Sequence, residues 1–162
     1  MAAPTIVVGM DGSPGSRIAL EHALRDAARR GARVRAVMAF ETPDYWPEFD
    51  MAVPPTSAEI TRTLESGLRS TVAEVRAGLD GEAAQVPVDV LALPGSPASV
   101  LLAQAEDADD LVVGHRGRGG MASTLLGSVG LQCVLHAPCR VTVVRPPRTS
   151  PVAAGQAAGS GS

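Results

Sequence analysis

The sequence predicts an α/β fold, a single domain on an open parallel sheet with helices on both faces. Three observations carry this expectation. Short Val-rich apolar runs recur at residues 5–10, 34–40, 86–93, 110–114 and 140–145. Stretches with apolar residues at three- and four-residue steps separate them. The runs are near-continuously apolar, as parallel strands covered on both faces are.

The elements follow in order. The first run, Thr5 to Met10, ends in Asp11-Gly-Ser-Pro14. Ser13 can cap a helix there, and Pro14 suits its first position. Ile18, Leu20, Leu24, Ala27 and Ala28 continue at helical spacing, and Arg29, Arg30 and Gly31 close the helix. Val34 to Phe40 is the second strand. Residues 41–56 read as a loop holding four prolines, Tyr45, Trp46 and Phe49. A connection this long in a compact domain is functional or disordered. Two roles are open to it: a cover over a ligand mouth or a partner subunit, or a plug of Phe40 and Trp46 at the sheet end. Ile60, Leu64, Leu68, Val72, Val75 and Leu79 mark a long amphipathic helix. Val86 to Leu93 is the third strand, and Pro94-Gly-Ser-Pro97 opens a shorter helix through Ala105. Asp110 to Gly114 is the fourth strand. A Gly-rich loop and another helix lead to the fifth, Arg140 to Arg145. The folded domain is expected over residues 1–146. Residues 147–162 are rich in Pro, Ala, Gly and Ser and read as a flexible tail.

Composition excludes several functions. A net charge of −3 argues against a nucleic-acid or membrane-phosphate binder. All fourteen Lys+Arg residues are arginine, so no lysine can form a Schiff base or complete a P-loop. No run approaches the roughly 20 apolar residues of a membrane helix, and the N-terminus has no signal-peptide pattern. Cys133 and Cys139 fit no zinc spacing and read as small hydrophobes in a reducing cytoplasm. No Ser-His-Asp grouping can be assembled.

The chemistry concentrates after the fourth strand. Gly114, Gly117, Gly119 and Gly120 let the backbone turn tightly and approach a bulky group. Their peptide N–H groups can form an anion nest. Gly127-Ser128 opens a helix whose N-terminus also attracts phosphate. Arg116 and Arg118 supply charge that a P-loop takes from lysine. Glycines after a strand also make plain βα turns, but the second Gly-Ser and the two arginines favour polyphosphate. The segment is neither Walker A nor a dinucleotide fingerprint.

The spacing Gly114-x2-Gly117-x9-Gly127-Ser128 resembles the nucleotide-binding motif of universal stress proteins of the ATP-binding branch. Val7-Val-Gly-Met-Asp11-Gly-Ser resembles that family's first strand and acidic turn. Pro94-Gly-Ser-Pro97-Ala98 is similar to the segment after its third strand. Leu125 to Val129, His136-Ala-Pro-Cys139 and Val141 to Arg145 resemble its C-terminal signature. The likeness covers roughly residues 4–146. It implies strand order 3-2-1-4-5 and ATP, with Mg²⁺, in the crevice between the first and fourth strands. By the motif, Gly114, Gly117, Gly127 and Ser128 line the phosphates and ribose, with Val113, Val129 and Gly130 beside them. Gly9, Met10, Asp11 and Ala39 frame the adenine and ribose. His115, Arg116, Arg118 and Gly119 complete the candidate set. The resemblance also implies a homodimer through the last strand, Val141–Val144. The sequence departs from the family at His115, where serine is common, at Gly130, where a hydroxyl residue is frequent, and at Arg140, a frequent proline.

Two candidates keep alternative roles. Asp11 can orient a ribose hydroxyl or help hold Mg²⁺, or it can be a turn residue alone. His115 can contact phosphate when protonated, or face solvent. Three functions compete: a nucleotide-dependent regulatory protein, a slow ATPase without a dedicated base, and an interaction module with no bound nucleotide.

Overall fold

The computed structural model describes residues 2–42, 54–117 and 126–148. Tyr45, Trp46, Phe49, Arg118, Gly119 and the tail from residue 149 lie outside the described residues, as does most of the 41–56 loop. Five parallel strands form one sheet: β1 (Thr5–Met10), β2 (Arg33–Phe40), β3 (Val88–Pro94), β4 (Asp110–Gly114) and β5 (Arg140–Val144). Their order is β3-β2-β1-β4-β5. The helices are α1 (Pro14–Arg30), α2 (Ser57–Ala77), α3 (Pro97–Ala105) and α4 (Ser128–His136).

Local chemistry sets the boundaries. Ser13 Oγ accepts the N–H of Ser16, and Gly31 ends α1 at φ 63°. Thr56 and Glu59 form a reciprocal capping box at the start of α2. The third strand starts two residues later than the apolar run suggests, because Gly81–Gln85 winds into a short 3-10 helix.

Side chains alternate faces along each strand. Ile6, Val8, Val34, Ala36 and Val112 therefore meet Leu20 and Leu24 of α1 and Leu68 and Val72 of α2. Val7, Val37, Leu111 and Val113 meet Leu101 and Ala105 of α3 and Cys133 of α4 on the other face. The two layers explain the absence of alternation in the strands: both faces are core.

One polar group is buried at the lower end of the sheet. Asp110, only 5% exposed, accepts hydrogen bonds from Arg30 at 2.5 Å and Arg140 at 2.9 Å. The bonds tie α1 and β5 to β4. An Asp110→Ala substitution is expected to cost about 2 kcal/mol, because it removes both bonds and leaves half-buried Arg30 with Asp26 as its remaining carboxylate partner. Arg33→Ala removes a 2.7 Å pair with Asp89 that is half-exposed on both sides, and should cost under about 1 kcal/mol. Urea denaturation of the two variants checks the difference.

Candidate functional site

β1 and β4 are neighbours in the sheet, but β1 is followed in sequence by β2 on its other side, and β4 by β5 on its own. The connections leave a crevice beyond the carboxyl ends of these two strands. A cavity of about 320 Å³ opens there.

Three segments build most of its wall. The end of β1 supplies Gly9, Met10 and Asp11; the end of β4 and its loop supply Val113, Gly114, Arg116 and Gly117; the start of α4 supplies Gly127, Ser128, Val129 and Gly130. Ala39 of β2 joins them. His115 is not on the wall: its N–H donates to Val144 O at 3.0 Å, and its carbonyl accepts the N–H of Gly127 at 2.8 Å. Its backbone ties β5 and α4 to the loop.

The loop lies where it does because two residues lack side chains. A Cβ at position 114 would stand 3.0 Å from the carbonyl carbon and oxygen of Gly15 at the start of α1. A Cβ at position 117 would stand 2.5 Å from Asp11 Oδ2. Asp11 cannot swing aside without loss, since its Oδ1 accepts the N–H of Ser13 at 2.9 Å. The glycines let the chain sit directly on the turn after β1.

Three helix N-termini reach this cavity, that of α3 through Pro97, and those of α1 and α4 differ. At α1, Ser13 Oγ takes the Ser16 N–H at 3.2 Å, and Ser16 Oγ donates back to Ser13 O at 2.9 Å. A side chain thus takes one of the free N–H groups at that end. At α4 the cap is Gly127, which has no side chain to offer. The first intrahelical bond there runs from Leu131 N–H to Gly127 O. Helix geometry leaves the N–H groups of Ser128, Val129 and Gly130 without intrahelical acceptors, at the positive end of the helix dipole.

The electrostatics have the same sign. Arg116 lines the cavity, and its buried Nε has no acceptor among the described residues. Burial first, then the positive charges of Arg116 and Arg145, hold the His115 imidazole below its ordinary pKa. Arg116 and Arg145 thus place positive charge beside the mouth, with the Asp11 carboxylate on the same wall. Opposite it, Met10, Val37, Ala39, Pro97, Leu101 and Val113 form an apolar wall. One half suits an anion and the other a flat apolar ring.

The universal stress protein family model matches residues 3–145. The chain belongs to that family. It is 35% identical over 142 residues to a universal stress protein of Mycolicibacterium smegmatis, covering 87% of this chain and 45% of that protein. A Mycobacterium tuberculosis universal stress protein is 36% identical over 141 residues, covering 86% of this chain and 44% of that one. The chain thus spans about half the length of these curated relatives. A universal stress protein of Thermus aquaticus is 36% identical over 144 residues, 87% of this chain and 98% of that one. Among solved structures, a universal stress protein in complex with cAMP superposes with a TM-score of 0.64 at 26% identity, covering 90% of this chain and 98% of that one. UspA from Lactobacillus plantarum shares the fold, with a TM-score of 0.61 at 22% identity, over 90% of this chain and all of that one.

The cavity also contains residues that sequence reasoning did not select: Ser13, Ser16, Val37, Pro97 and Leu101. Ser13 and Pro97 carried local signals, as a cap and a first-turn proline. Ser16, Val37 and Leu101 read as ordinary helix and strand positions, and only the strand order brings them to the crevice.

Proposed function

We propose that this chain binds ATP, together with Mg²⁺, in the crevice between β1 and β4, and acts as a nucleotide-dependent regulatory protein of the stress response. The uncapped N-terminus of α4, facing a cavity it shares with Arg116 and the glycine loop, carries this reading. The cAMP held by the 26%-identical relative supports an adenine nucleotide. In this reading the N–H groups of Ser128, Val129 and Gly130 bind phosphate oxygens, and Arg116 neutralises their charge. Gly9, Met10, Ala39 and Val113 hold the base and ribose. Asp11 is the one carboxylate among the described wall residues. Mg²⁺ is commonly held by one or two carboxylates plus substrate phosphates, so this donor set fits an ion carried in with ATP. That ion would neutralise phosphate charge.

A thermal melt with and without Mg-ATP tests the proposal. Ligand at 100 times its dissociation constant should add about 2.7 kcal/mol of stability. No shift with ATP, ADP or cAMP would sink it.

The proposal has a pH consequence. The imidazole of free His115 sits below its ordinary pKa, and a polyphosphate in the neighbouring cavity, beside Arg116, raises that pKa through space. The complex then holds more protons than the free chain. Affinity should rise as pH falls through the pKa of the complex toward that of the free protein. Titrations at several pH values check this, and His115→Gln should flatten the profile.

We also propose a homodimer through β5. Its Val141–Val144 edge is unpaired among the described residues. Leu131, Val134 and Leu135 stand 47%, 49% and 63% exposed on α4, which packs over β4 and β5. A second copy would cover both surfaces. Sedimentation velocity tests this, and a monomer at all concentrations would contradict it. The free thiols of Cys133 and Cys139 support a reducing, cytoplasmic setting. No helix among the described residues is long and apolar enough to cross a membrane.

A further inference from the structure

The sheet has a second edge, β3. The register pairs Val34 with Val88 and Ala36 with Val90, and the Val34 N–H donates to Pro87 O at 2.9 Å. A parallel ladder bonds alternate residues of a strand to its neighbour. Pro87, Asp89 and Leu91 thus turn their main-chain groups toward β2, while Val88, Val90 and Ala92 turn theirs outward.

Helix α2 blunts this edge at two points. Glu65 accepts the outward N–H of Ala92 at 3.3 Å. The Arg76 guanidinium donates to the carbonyl of Val86. Between these caps, the outward N–H and C=O groups of Val88 and Val90 have no hydrogen-bond partner among the described residues. They face a groove of about 800 Å³ between α2 and the strand.

The groove carries positive charge. Arg35, Arg69 and Arg76 line it beside Asp89. Asp89 is neutralised by Arg33 at 2.7 Å, Arg35 by Asp107 at 2.8 Å, and Arg69 is loosely held by Glu65 at 3.4 Å. Arg76 has no carboxylate partner among the described residues, and its Nε is buried without an acceptor. Unpaired strand groups therefore lie beside an arginine whose hydrogen bonding is incomplete.

We propose that the β3 edge docks an extended acidic segment of a partner protein. The segment adds as a sixth strand against Val88 and Val90, and one of its carboxylates meets Arg76. Main-chain bonds supply affinity in this mode, and side chains supply selection. The inference does not depend on the nucleotide reading.

The test is fluorescence anisotropy on the full chain with three labelled hexapeptides. One alternates Glu and Val, one alternates Lys and Val, and one is the Glu-Val peptide N-methylated at alternate residues. The Glu-Val peptide should bind saturably. N-methylation, which leaves the protein untouched, should weaken binding about tenfold or more. Arg76→Met should weaken it by a similar factor with an unchanged circular dichroism spectrum. Equal binding of the Lys-Val peptide, indifference to N-methylation, or no saturation would overturn the proposal. So would self-association through this edge, abolished by Val90→Pro, which removes an outward N–H and leaves the inward ladder intact.

Discussion

A Gly127→Val variant is expected to fold and to lose ATP. Position 127 has φ −67° and ψ 160°, which any residue adopts. A Cβ there would lie 3.5 Å from His115 O and 3.7 Å from Arg116 Cα, ordinary contact distances. The helix loses a preferred cap residue, at a cost of up to about 1 kcal/mol. The valine methyls would instead extend from a Cβ beside Arg116 and Gly117, both on the cavity wall, and take up space between the loop and the start of α4 where phosphate would sit. Losing two charge-assisted bonds there costs about 3 kcal/mol, a roughly hundredfold fall in affinity. Equilibrium binding beside a denaturation curve checks both halves. Retained affinity would remove the α4 N-terminus from the site.

Gly114→Val should do the opposite and damage the fold itself. The added atoms would press on the backbone of Gly15, 3.0 Å away, and not on a side chain that can rotate. The strand end cannot yield without breaking β4 from β5, whose register pairs Gly114 with Val144, and the start of α1 is held by its Ser13 cap. Overpacking against rigid main chain costs about 3 kcal/mol, roughly 10 °C in melting temperature for a domain of this size. Differential scanning calorimetry measures it. A melting temperature within a degree or two of the parent would mean that the loop moves freely on α1. The contrast between the two glycines separates a residue that makes room for ligand from one that makes room for the protein.

Much of this was legible in the sequence. Thr5 to Met10 followed by Asp11-Gly-Ser-Pro14 reads as strand, turn and capped helix, and the structure has each part where the sequence puts it. Local chemistry decides such segments, so they can be read locally. The start of β3 could not be read this way. Gly81–Gln85 has no strong cap or period, and the preceding helix and following strand leave it only a 3-10 turn. The Asp110 network was equally hidden, because Arg30 stands 80 residues away. At the site, the glycine spacing marked the loop, and the family resemblance placed the first strand beside the fourth. The contact of Gly114 on Gly15 had no sequence signal, because it depends on how α1 meets the loop. The opposite states of the two helix ends were half-visible. Ser13 announces a filled cap, whereas a glycine at 127 announces an empty one only once the cavity in front of it is known.

The most direct measurement is an amide ¹H–¹⁵N titration of the full chain with Mg-ATP. The account predicts that the amides of Gly117, Ser128, Val129 and Gly130 shift most and saturate together, while those of β3 and the C-terminal turn of α1 stay still. Saturable shifts centred away from the start of α4, or none at millimolar ATP, would contradict it.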